Sequence, residues 1–325
     1  MPDRREQGGA TTTPEPHHVP AGLVELARAA LGSHLGPEAS TAELRLVTGD
    51  GGRAVVVVSL AGQPRFVLKL LWPDGSGRVD LARTAAVMAL ARGAGVPVPE
   101  TVAVGAIAAG GEMEGRWQYL LQEHLPGIEW RRLRLTLDRD GLAAPHRDIA
   151  RALVRLQSVR FPGFGELDAG AAPAATDLVT SLGVRAELRV GERRHRALFA
   201  GVLERSSHLF DDPGEPTLVH DDLHHDNLLF DRRDGQWQLR GVLDWDKAWA
   251  GPAESDVARL AFWDDMTDPA FWPVYRAAVP ERPGEPERRA VHQLLWCLEY
   301  DDRTPRHRRD TARLCRRLGV SLEER

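Results

Sequence analysis

The sequence predicts a bilobal α+β fold, with a small, mixed, β-rich N-terminal lobe and a larger, mainly helical C-terminal lobe that carries inserted β-hairpins. Three observations lead to this prediction. The chain has 325 residues, which exceeds the usual size of one hydrophobic core. Strand patterns dominate up to residue 121, and helical spacing dominates after residue 128. A polar break separates these halves, so we predict a lobe at 21–121, a hinge at 122–127 and a second lobe at 128–325.

The first lobe is predicted to hold one β-sheet and two helices. Apolar runs bounded by glycine turns are typical of strands, and apolar residues at i, i+4 and i+7 are typical of a helix. Gly51 and Gly52 occupy the turn of the first hairpin, a flap that either covers a nucleotide or simply joins two strands. The predicted elements are a helix at 21–35, strands at 44–47, 54–60 and 66–71, a helix at 79–92, and strands at 101–106 and 117–121.

The second lobe shows helical spacing in three segments, which lie at 149–156, 257–261 and 291–298. Strand-like runs between 217 and 243 are inserted among these helices as β-hairpins. The segment 163–175 is rich in Gly, Ala and Pro, and is predicted to be a long surface loop. Two lobes of different composition form a cleft where they meet, and ligands favour such interdomain clefts.

Composition indicates a soluble globular protein. Hydrophobic residues make up 42% of the chain and charged residues 27%. No apolar run approaches the roughly 20 residues that span a bilayer, so we expect no membrane partner. The net charge of −5 argues against a nucleic-acid partner, although the segment 303–317 is locally basic.

Two further features concern the tail and the cysteines. Residues 1–20 are polar and lack the apolar core of a secretory signal, so we predict a disordered tail. Cys297 and Cys315 are the only cysteines and lie far from any metal-ligand spacing. A disulfide framework would need more of them, which favours a reducing, cytoplasmic location.

The segment from His220 to Asn227 is the most informative part of the sequence. It places acidic and amide side chains between two strand-like runs, and a third run soon delivers Asp244. Phosphoryl transfer needs one carboxylate to orient a hydroxyl, and an amide and a second carboxylate to hold Mg²⁺. The His-Asp pairs are also compatible with a metal-dependent phosphohydrolase, although such ligands usually lie on helices. A third interpretation treats the acids as solvated loop residues.

The lysines form a second clue. Nearly all basic residues are arginine, and Lys69 and Lys247 are the only lysines. Lysine is a compact point charge that reaches phosphate oxygens in a narrow cleft. Lys69 lies in a predicted buried strand, where it either serves this role or extends its ammonium group from the strand end into solvent.

The order of these parts resembles the aminoglycoside phosphotransferase family, a branch of the protein-kinase-like fold. The family pattern H-G-D-L-H-x-x-N matches 220–227 at every defined position except 221, and the pattern I-D-W-x-x-A matches 243–248 with Leu in place of Ile. The resemblance spans about residues 40–265 and is specific because several motifs occur in the family's order. The other matching segments are 97–99, 125–127, 152–156, 251–252 and 256–258.

The resemblance implies a kinase that moves the γ-phosphoryl group of ATP or GTP to a hydroxyl of a small molecule. Asp222 is then the catalytic base, and Asn227 and Asp244 bind Mg²⁺. His220 and Asp256 support the catalytic loop, since buried loop donors need partners.

The resemblance also implies a nucleotide site. Lys69 would contact the α- and β-phosphates, and the backbone of the hinge would bind adenine or guanine. The predicted nucleotide-binding residues are Lys69, Gly51, Gly52, Gln122, Glu123 and His124.

Two residues depart from the family pattern. The first-lobe helix of the family usually carries a Glu that pairs with the strand Lys, and Thr84 occupies that position here. Asp80 lies one turn earlier and either reaches Lys69 or caps the helix. Asp221 replaces the usual Gly of the catalytic loop, where a positive φ would cost it more than glycine. Thr84 keeps a nucleotide-binding pseudokinase open as an alternative.

The acceptor is the least determined part of the prediction. Carboxylates gather in the last third of the chain, which favours a cationic acceptor such as an aminoglycoside or a basic peptide antibiotic. Charged residues at helix ends are also commonly just solvated, so a macrolide or a primary metabolite such as choline or homoserine stays open. The candidate substrate residues are Asp264, Asp265, Glu299, Asp301 and Asp302.

Overall fold

The computed structural model confirms the bilobal α+β prediction. It describes residues 21–50, 52–72, 79–110, 115–174, 176–300 and 304–322. The predicted tail and three candidate site residues, Gly51, Asp301 and Asp302, lie outside these ranges. Within them, no helix is both long and apolar enough to cross a membrane.

The N-terminal lobe is built on a five-stranded sheet. Its helices are α1 (Ala21–Leu35), α2 (Glu38–Thr41) and α3 (Leu81–Gly93), and its strands are β1 (Glu43–Asp50), β2 (Arg53–Leu60), β3 (Gln63–Leu71), β4 (Thr101–Ala109) and β5 (Gly115–Glu123). The sheet has the order β1-β2-β3-β5-β4, and every neighbouring pair is antiparallel. Strand β2 contains four consecutive valines, whose branched side chains favour extended backbone.

Strand β3 positions Lys69 in the middle of this sheet. Lys69 pairs with Val55 of β2 and Leu120 of β5. Because side chains alternate along a strand, its neighbours Leu68 and Leu70 point to the opposite face, and both are buried in the cluster that also contains α1. Lys69 therefore faces the C-terminal lobe rather than α1.

Helix α3 begins at a side-chain cap and carries no carboxylate of its own. The Asp80 side chain accepts hydrogen bonds from the backbone N–H groups of Ala82 and Arg83 at 2.8 and 3.2 Å. Asp80 therefore serves as the N-cap of the helix. Val87 and Met88 pack in the same apolar cluster as Ile149 and Leu153 of the other lobe. The helix is thus fixed against the C-terminal lobe.

The C-terminal lobe combines eight helices with six short strands among the described residues. The helices are α4 (Trp130–Leu133), α5 (Arg139–Leu156), α6 (Leu178–Arg189), α7 (Arg193–Ser206), α8 (Glu254–Leu260), α9 (Phe271–Ala278), α10 (Glu285–Glu299) and α11 (Pro305–Arg317). The strands are β6 (Ile128–Glu129), β7 (Gly165–Glu166), β8 (Pro216–Val219), β9 (Leu228–Arg233), β10 (Gln236–Val242) and β11 (Trp249–Pro252).

Two small sheets, with the orders β10-β9-β6 and β7-β11-β8, bring two loops together. The loop 220–227 connects β8 to β9, and the loop 243–248 connects β10 to β11. Strand β9 is antiparallel to β10, and β8 is antiparallel to β11. The two loops therefore leave the sheets side by side. A backbone hydrogen bond of 2.8 Å from Leu243 to the carbonyl of Asn227 joins them.

Two sequence predictions about local structure need correction. Strand β5 continues to Glu123 because Gln122 pairs with both Val67 and Thr101, so two residues of the predicted hinge belong to the sheet. The segment 163–175 was predicted to be a surface loop, but it contains β7 and three buried apolar side chains. These buried side chains belong to Phe164, Leu167 and Ala171.

Candidate active site

Strained backbone marks the two loops that carry the predicted chemistry. Asp221 and Asp244 both have positive φ angles, of 59° and 61°. Residues other than Gly, Asn and Asp rarely adopt this region. The catalytic loop thus requires at Asp221 the conformation for which the family pattern has glycine, and an aspartate supplies it here.

Contacts of its side chain hold Asp221 in this conformation. Its carboxylate accepts hydrogen bonds from Arg185 Nη2 at 2.6 Å and from the Ser255 hydroxyl at 3.1 Å. Arg185 is buried, also contacts Glu166, and donates to the Lys247 carbonyl at 2.7 Å. Burial opposes ionisation of Asp221, but Arg185, Arg259 and Arg189 together outweigh burial and lower its pKa to about 2. The substitution of the family's glycine is therefore balanced by a buried arginine that links both loops.

His220 bridges the two loops as a neutral ring. Its Nδ1 accepts a hydrogen bond from the Asp222 N–H at 3.2 Å, so its Nε2 carries the proton and donates to the Leu243 carbonyl at 2.9 Å. Burial lowers the pKa of His220 to about 4, which keeps the ring neutral. His220 thus fixes the backbone immediately before Asp222 and Asp244.

Asp256 holds the start of the catalytic loop from α8. It is fully buried, and its carboxylate accepts hydrogen bonds from the backbone N–H groups of His220 and Asp221 at 3.0 and 2.8 Å. Burial raises the pKa of Asp256 to about 7, even though both hydrogen bonds favour its ionised form.

Asp222 is buried at the centre of the loop and faces two cations. Arg259 of α8 donates to its Oδ1, and Lys247 Nζ lies 3.8 Å from the same oxygen. On its other side, the Asn227 amide donates to the Asp222 carbonyl at 2.8 Å and contacts the His224 ring at 3.1 Å. These contacts fix the relative position of the predicted base and the predicted magnesium ligand.

The donor set of Asn227 and Asp244 fits a magnesium ion. Both residues line one cleft, and Mg²⁺ prefers oxygen ligands such as carboxylates. The amide nitrogen of Asn227 is engaged by Asp222 and His224, so its oxygen remains as the ligand atom.

Lys69 reaches across the cleft to the loop 243–248. Its ammonium lies 2.7 Å from Asp244 Oδ1 and 3.4 Å from Asp246 Oδ1. Burial alone would lower its pKa, but Asp246 and Asp244 raise it above the ordinary value. Lys69 also lowers the pKa of Asp244 to about 2. Both groups are therefore charged at neutral pH.

A cleft of about 990 Å³ separates the lobes at this point. Its wall includes Lys69, Asn227 and Asp244, and the predicted base-binding residues Gln122, Glu123 and His124. Gly52 lies in the turn between β1 and β2, where its carbonyl accepts from the Trp72 N–H; the nearby Thr48 and Gly49 line the cleft.

Two backbone N–H groups of the predicted hinge already have partners within the N-terminal lobe. The N–H groups of Glu123 and His124 donate to the carbonyls of Glu100 and Arg65 at 2.8 and 2.9 Å. These N–H groups have partners because β5 continues through Glu123 and stays hydrogen-bonded to the neighbouring chain segments. Binding of a purine base by this segment stays a prediction.

Each described acid of the predicted acceptor site contacts a cation of the chain. Asp264 pairs with Arg306 and Asp265 with Arg134, each at 2.8 Å. Lys247 binds Glu299 at 3.0 Å and the Tyr300 hydroxyl at 2.5 Å. Asp264 and Asp265 are exposed, whereas the Glu299 side chain is buried.

Sequence reasoning missed four residues that the structure places at the site: Arg185, Asp246, Lys247 and Arg259. Two signals were available. Lys247 is one of only two lysines, and Asp246 repeats an acid two positions after Asp244. The two arginines gave no signal, because arginine is common throughout the chain.

Comparison with known proteins identifies the family of the chain. A family model described as "Phosphotransferase enzyme family" matches residues 43–294. No curated protein matches the chain significantly.

Solved structures with a similar fold include several kinases. The aminoglycoside phosphotransferase APH(4)-Ia is 19% identical, with a TM-score of 0.63, and the match covers 90% of this chain and 96% of that one. A putative fructosamine-3-kinase from Thermobifida fusca YX-ER1 is 20% identical, with a TM-score of 0.60, covering 91% and 99%. The macrolide 2'-phosphotransferase MphH from Brachybacterium faecium is 19% identical, with a TM-score of 0.53, covering 93% and 99%. Since the family model spans most of the chain, the protein belongs to the phosphotransferase enzyme family.

Proposed function

We propose that the protein transfers the γ-phosphoryl group of ATP or GTP to a hydroxyl of a small molecule, with Mg²⁺ as cofactor. One observation carries this proposal: Lys69, Asn227 and Asp244 line one interlobe cleft, and the Asn227 side-chain amide donates a hydrogen bond to the backbone carbonyl of Asp222. Structures of similar fold have been determined as complexes with AMP-PNP and hygromycin B and with GDP and kanamycin, which supports a nucleotide donor.

Each residue has a defined role in this reaction. Lys69 binds the α- and β-phosphates, and Asn227 and Asp244 hold the metal through oxygen atoms. When bound, Mg²⁺ neutralises charge on the phosphates. Asp222 orients the acceptor hydroxyl and accepts its proton, which requires a separation of about 2.6–3.2 Å. Because the transition state of phosphoryl transfer is loose, orientation of the hydroxyl contributes more than its deprotonation.

We propose an antibiotic as the acceptor, and resistance or self-protection as the role. Structures of similar fold include those of aminoglycoside and macrolide phosphotransferases. Within this class, a less charged acceptor such as a macrolide is a second candidate. The observation that supports this second candidate is that the three described acids of the predicted acceptor site already contact cations of the chain: Asp264 contacts Arg306, Asp265 contacts Arg134 and Glu299 contacts Lys247. A cationic acceptor would have to compete with these cations for the carboxylates.

A cytoplasmic location is part of the proposal. Cys297 and Cys315 are buried and do not form a disulfide, which suits a reducing compartment.

One screen tests the proposed function. The purified protein is incubated with Mg²⁺ and γ-labelled ATP or GTP against aminoglycosides, peptide antibiotics, macrolides, fructosamines, choline and homoserine. We expect label transfer to one chemical class, and loss of transfer without Mg²⁺. Nucleotide binding with no transfer to any acceptor, and no slow hydrolysis, would favour a pseudokinase. Absence of nucleotide binding would contradict the proposal itself.

A further inference from the structure

Helix α3 carries no carboxylate that could pair with Lys69. In the described structure Lys69 pairs instead with Asp244 and Asp246. The position of the family's helix carboxylate is occupied by Thr84, which is buried with 1% exposure. The Thr84 hydroxyl lies 3.0 Å from Asp246 Oδ1, and the same oxygen lies 3.4 Å from Lys69 Nζ. Thr84, Asp246 and Lys69 thus form one chain of contacts from the helix to the lysine.

A second residue of α3 holds the same segment. Arg83 donates from Nη2 to the Asp246 carbonyl at 3.4 Å, and its Nη1 lies 3.8 Å from Glu166 of β7. Consecutive residues of the helix therefore contact both the side chain and the backbone of Asp246. The contact between Thr84 and Asp246 joins positions 162 residues apart in the sequence.

The hydroxyl of Thr84 is suited to this task. It lies 3.1 Å from the Asp80 carbonyl as well as 3.0 Å from Asp246. A hydroxyl has a single hydrogen and can donate only one of these bonds fully. A carboxylate oxygen is a stronger acceptor than a backbone carbonyl, so the bond to Asp246 is the stronger of the two. Helix α3 therefore has the hydroxyl of Thr84 where the family has a carboxylate. This hydroxyl holds the Asp246 carboxylate of the other lobe.

We propose that Asp246 replaces the missing helix carboxylate, and that Thr84 positions Asp246 so that it holds the Lys69 ammonium in place for the nucleotide phosphates. Asp246 and Thr84 are positioning residues, which act through Lys69. In this arrangement α3 is coupled to the loop that carries Asp244, so the lysine and the metal ligand are placed by the same contact. The inference rests on the proposed role of Lys69 in nucleotide binding.

Three variants test the hydrogen bond. Thr84→Val keeps the shape of the side chain and removes the hydroxyl, whereas Thr84→Ser keeps the hydroxyl. Thr311→Val is the matched control, because Thr311 is also a buried helical threonine that donates to the carbonyl four residues earlier. The affinity for Mg-ATP is measured by calorimetry, and the melting temperature of each variant is measured in parallel.

We expect Thr84→Val to weaken Mg-ATP binding by roughly tenfold, the effect of losing a hydrogen bond to a charged group. Thr84→Ser and Thr311→Val should stay within about twofold of the parent protein. A purely structural role would lower the melting temperature of both valine variants and leave their nucleotide affinity unchanged. Equal affinities for Thr84→Val and Thr311→Val would therefore overturn the inference.

Relocation of the carboxylate gives an independent test. Asp246→Ala should weaken Mg-ATP binding by roughly tenfold to a hundredfold. Adding Thr84→Glu to that variant returns a carboxylate to the helix in the space that Asp246 vacated, and should recover most of the lost affinity. No recovery in a folded double variant would contradict the inference. If the parent protein itself bound no nucleotide, the proposed function would fail instead, so the two failures are distinguishable.

Discussion

The two lysines of the chain are both partly buried and both paired with carboxylates, but they are held in different ways. Lys69 comes from the N-terminal lobe, and its partners Asp244 and Asp246 come from the other lobe. Lys247 contacts Asp222, Glu299 and Tyr300, which all belong to its own lobe. One lysine therefore joins the lobes, and the other lies within a single lobe, beside residues that we propose to face the acceptor.

This difference indicates a division of labour. A cation held between lobes can exchange its carboxylate partners for phosphate oxygens, because its position depends on how the lobes close. Lys247 is fixed by a carboxylate, a hydroxyl and the Tyr300 ring, whose centroid lies 4.4 Å from its Nζ. We therefore expect Lys69 to govern nucleotide binding and Lys247 to govern the geometry around Asp222.

The largest expected effect comes from Asp222→Asn, which removes the proposed base that lies beside Lys247. Turnover should fall by roughly a hundredfold to ten-thousandfold, the range of a lost general base. Asparagine keeps the shape of the side chain, although it leaves Arg259 without a carboxylate partner. Steady-state phosphoryl transfer measures the loss, and calorimetry should find Mg-ATP affinity within about threefold of the parent protein. Unchanged turnover would refute the assignment of Asp222.

A pair of matched variants separates the lysines. Lys69→Met should weaken nucleotide binding by roughly tenfold to a hundredfold, because hydrogen bonds between charged groups are lost. Lys247→Met should leave nucleotide affinity within about twofold and lower turnover by roughly tenfold, since Asp222 and Glu299 lose a shared cation. Kinetics with varied nucleotide and varied acceptor distinguish these patterns.

Equal weakening of nucleotide and acceptor binding by Lys247→Met would contradict the separate roles of the two lysines. That result would mean that Lys247 supports the whole cleft rather than its acceptor side. Arg240→Met serves as a control for removing a partly buried cation outside the catalytic loops.

The residues of the two loops could be predicted from the sequence, but the partners of the two lysines could not. Asp222, Asn227 and Asp244 were predicted because they lie in short motifs between recognisable strands, where local spacing determines their arrangement. The partners of the lysines were not predicted. Glu299 ends a helix 52 residues after Lys247, and only the packing of α10 brings it close. Its contact with a substrate stays a prediction, whereas its contact with Lys247 could not be read from the sequence.

The departures from the family pattern illustrate the same limit. Thr84 suggested that Lys69 lacks a partner, because the sequence could not show that Asp246 approaches it from another lobe. Asp221 suggested strain, and the compensating Arg185 lies 36 residues away in a helix whose sequence carries no motif. Local propensity predicts strands and caps, whereas contacts between distant elements depend on the packed core.

Chemical labelling compares both lysines in one experiment, because no other side-chain amine is present. Acetic anhydride followed by peptide mass spectrometry gives a separate modification rate for each residue. Mg-ATP should slow acetylation of Lys69 by roughly tenfold at ten times its dissociation constant. Lys247 should be modified at the same rate with and without nucleotide. Equal protection of both lysines would contradict their separation into a nucleotide side and an acceptor side.

The smallest expected effect concerns the Tyr300 hydroxyl, which lies 2.5 Å from Lys247. Tyr300→Phe removes this hydrogen bond and keeps the ring beside the ammonium, so the acceptor KM should rise by about threefold to tenfold. The nucleotide KM should not change, because Tyr300 contacts neither Lys69 nor its partners in the described structure.

Tyr275→Phe is the matched control for this last variant. Tyr275 is buried in α9 and donates to Gln157 at 3.0 Å, away from the loops 220–227 and 243–248. Its replacement should lower the melting temperature without changing either KM, since the lost hydrogen bond contributes only about 1 kcal/mol to folding. If Tyr300→Phe behaves in the same way, Lys247 is held for stability alone. A rise confined to the acceptor KM would instead place Lys247 and Tyr300 together at the acceptor.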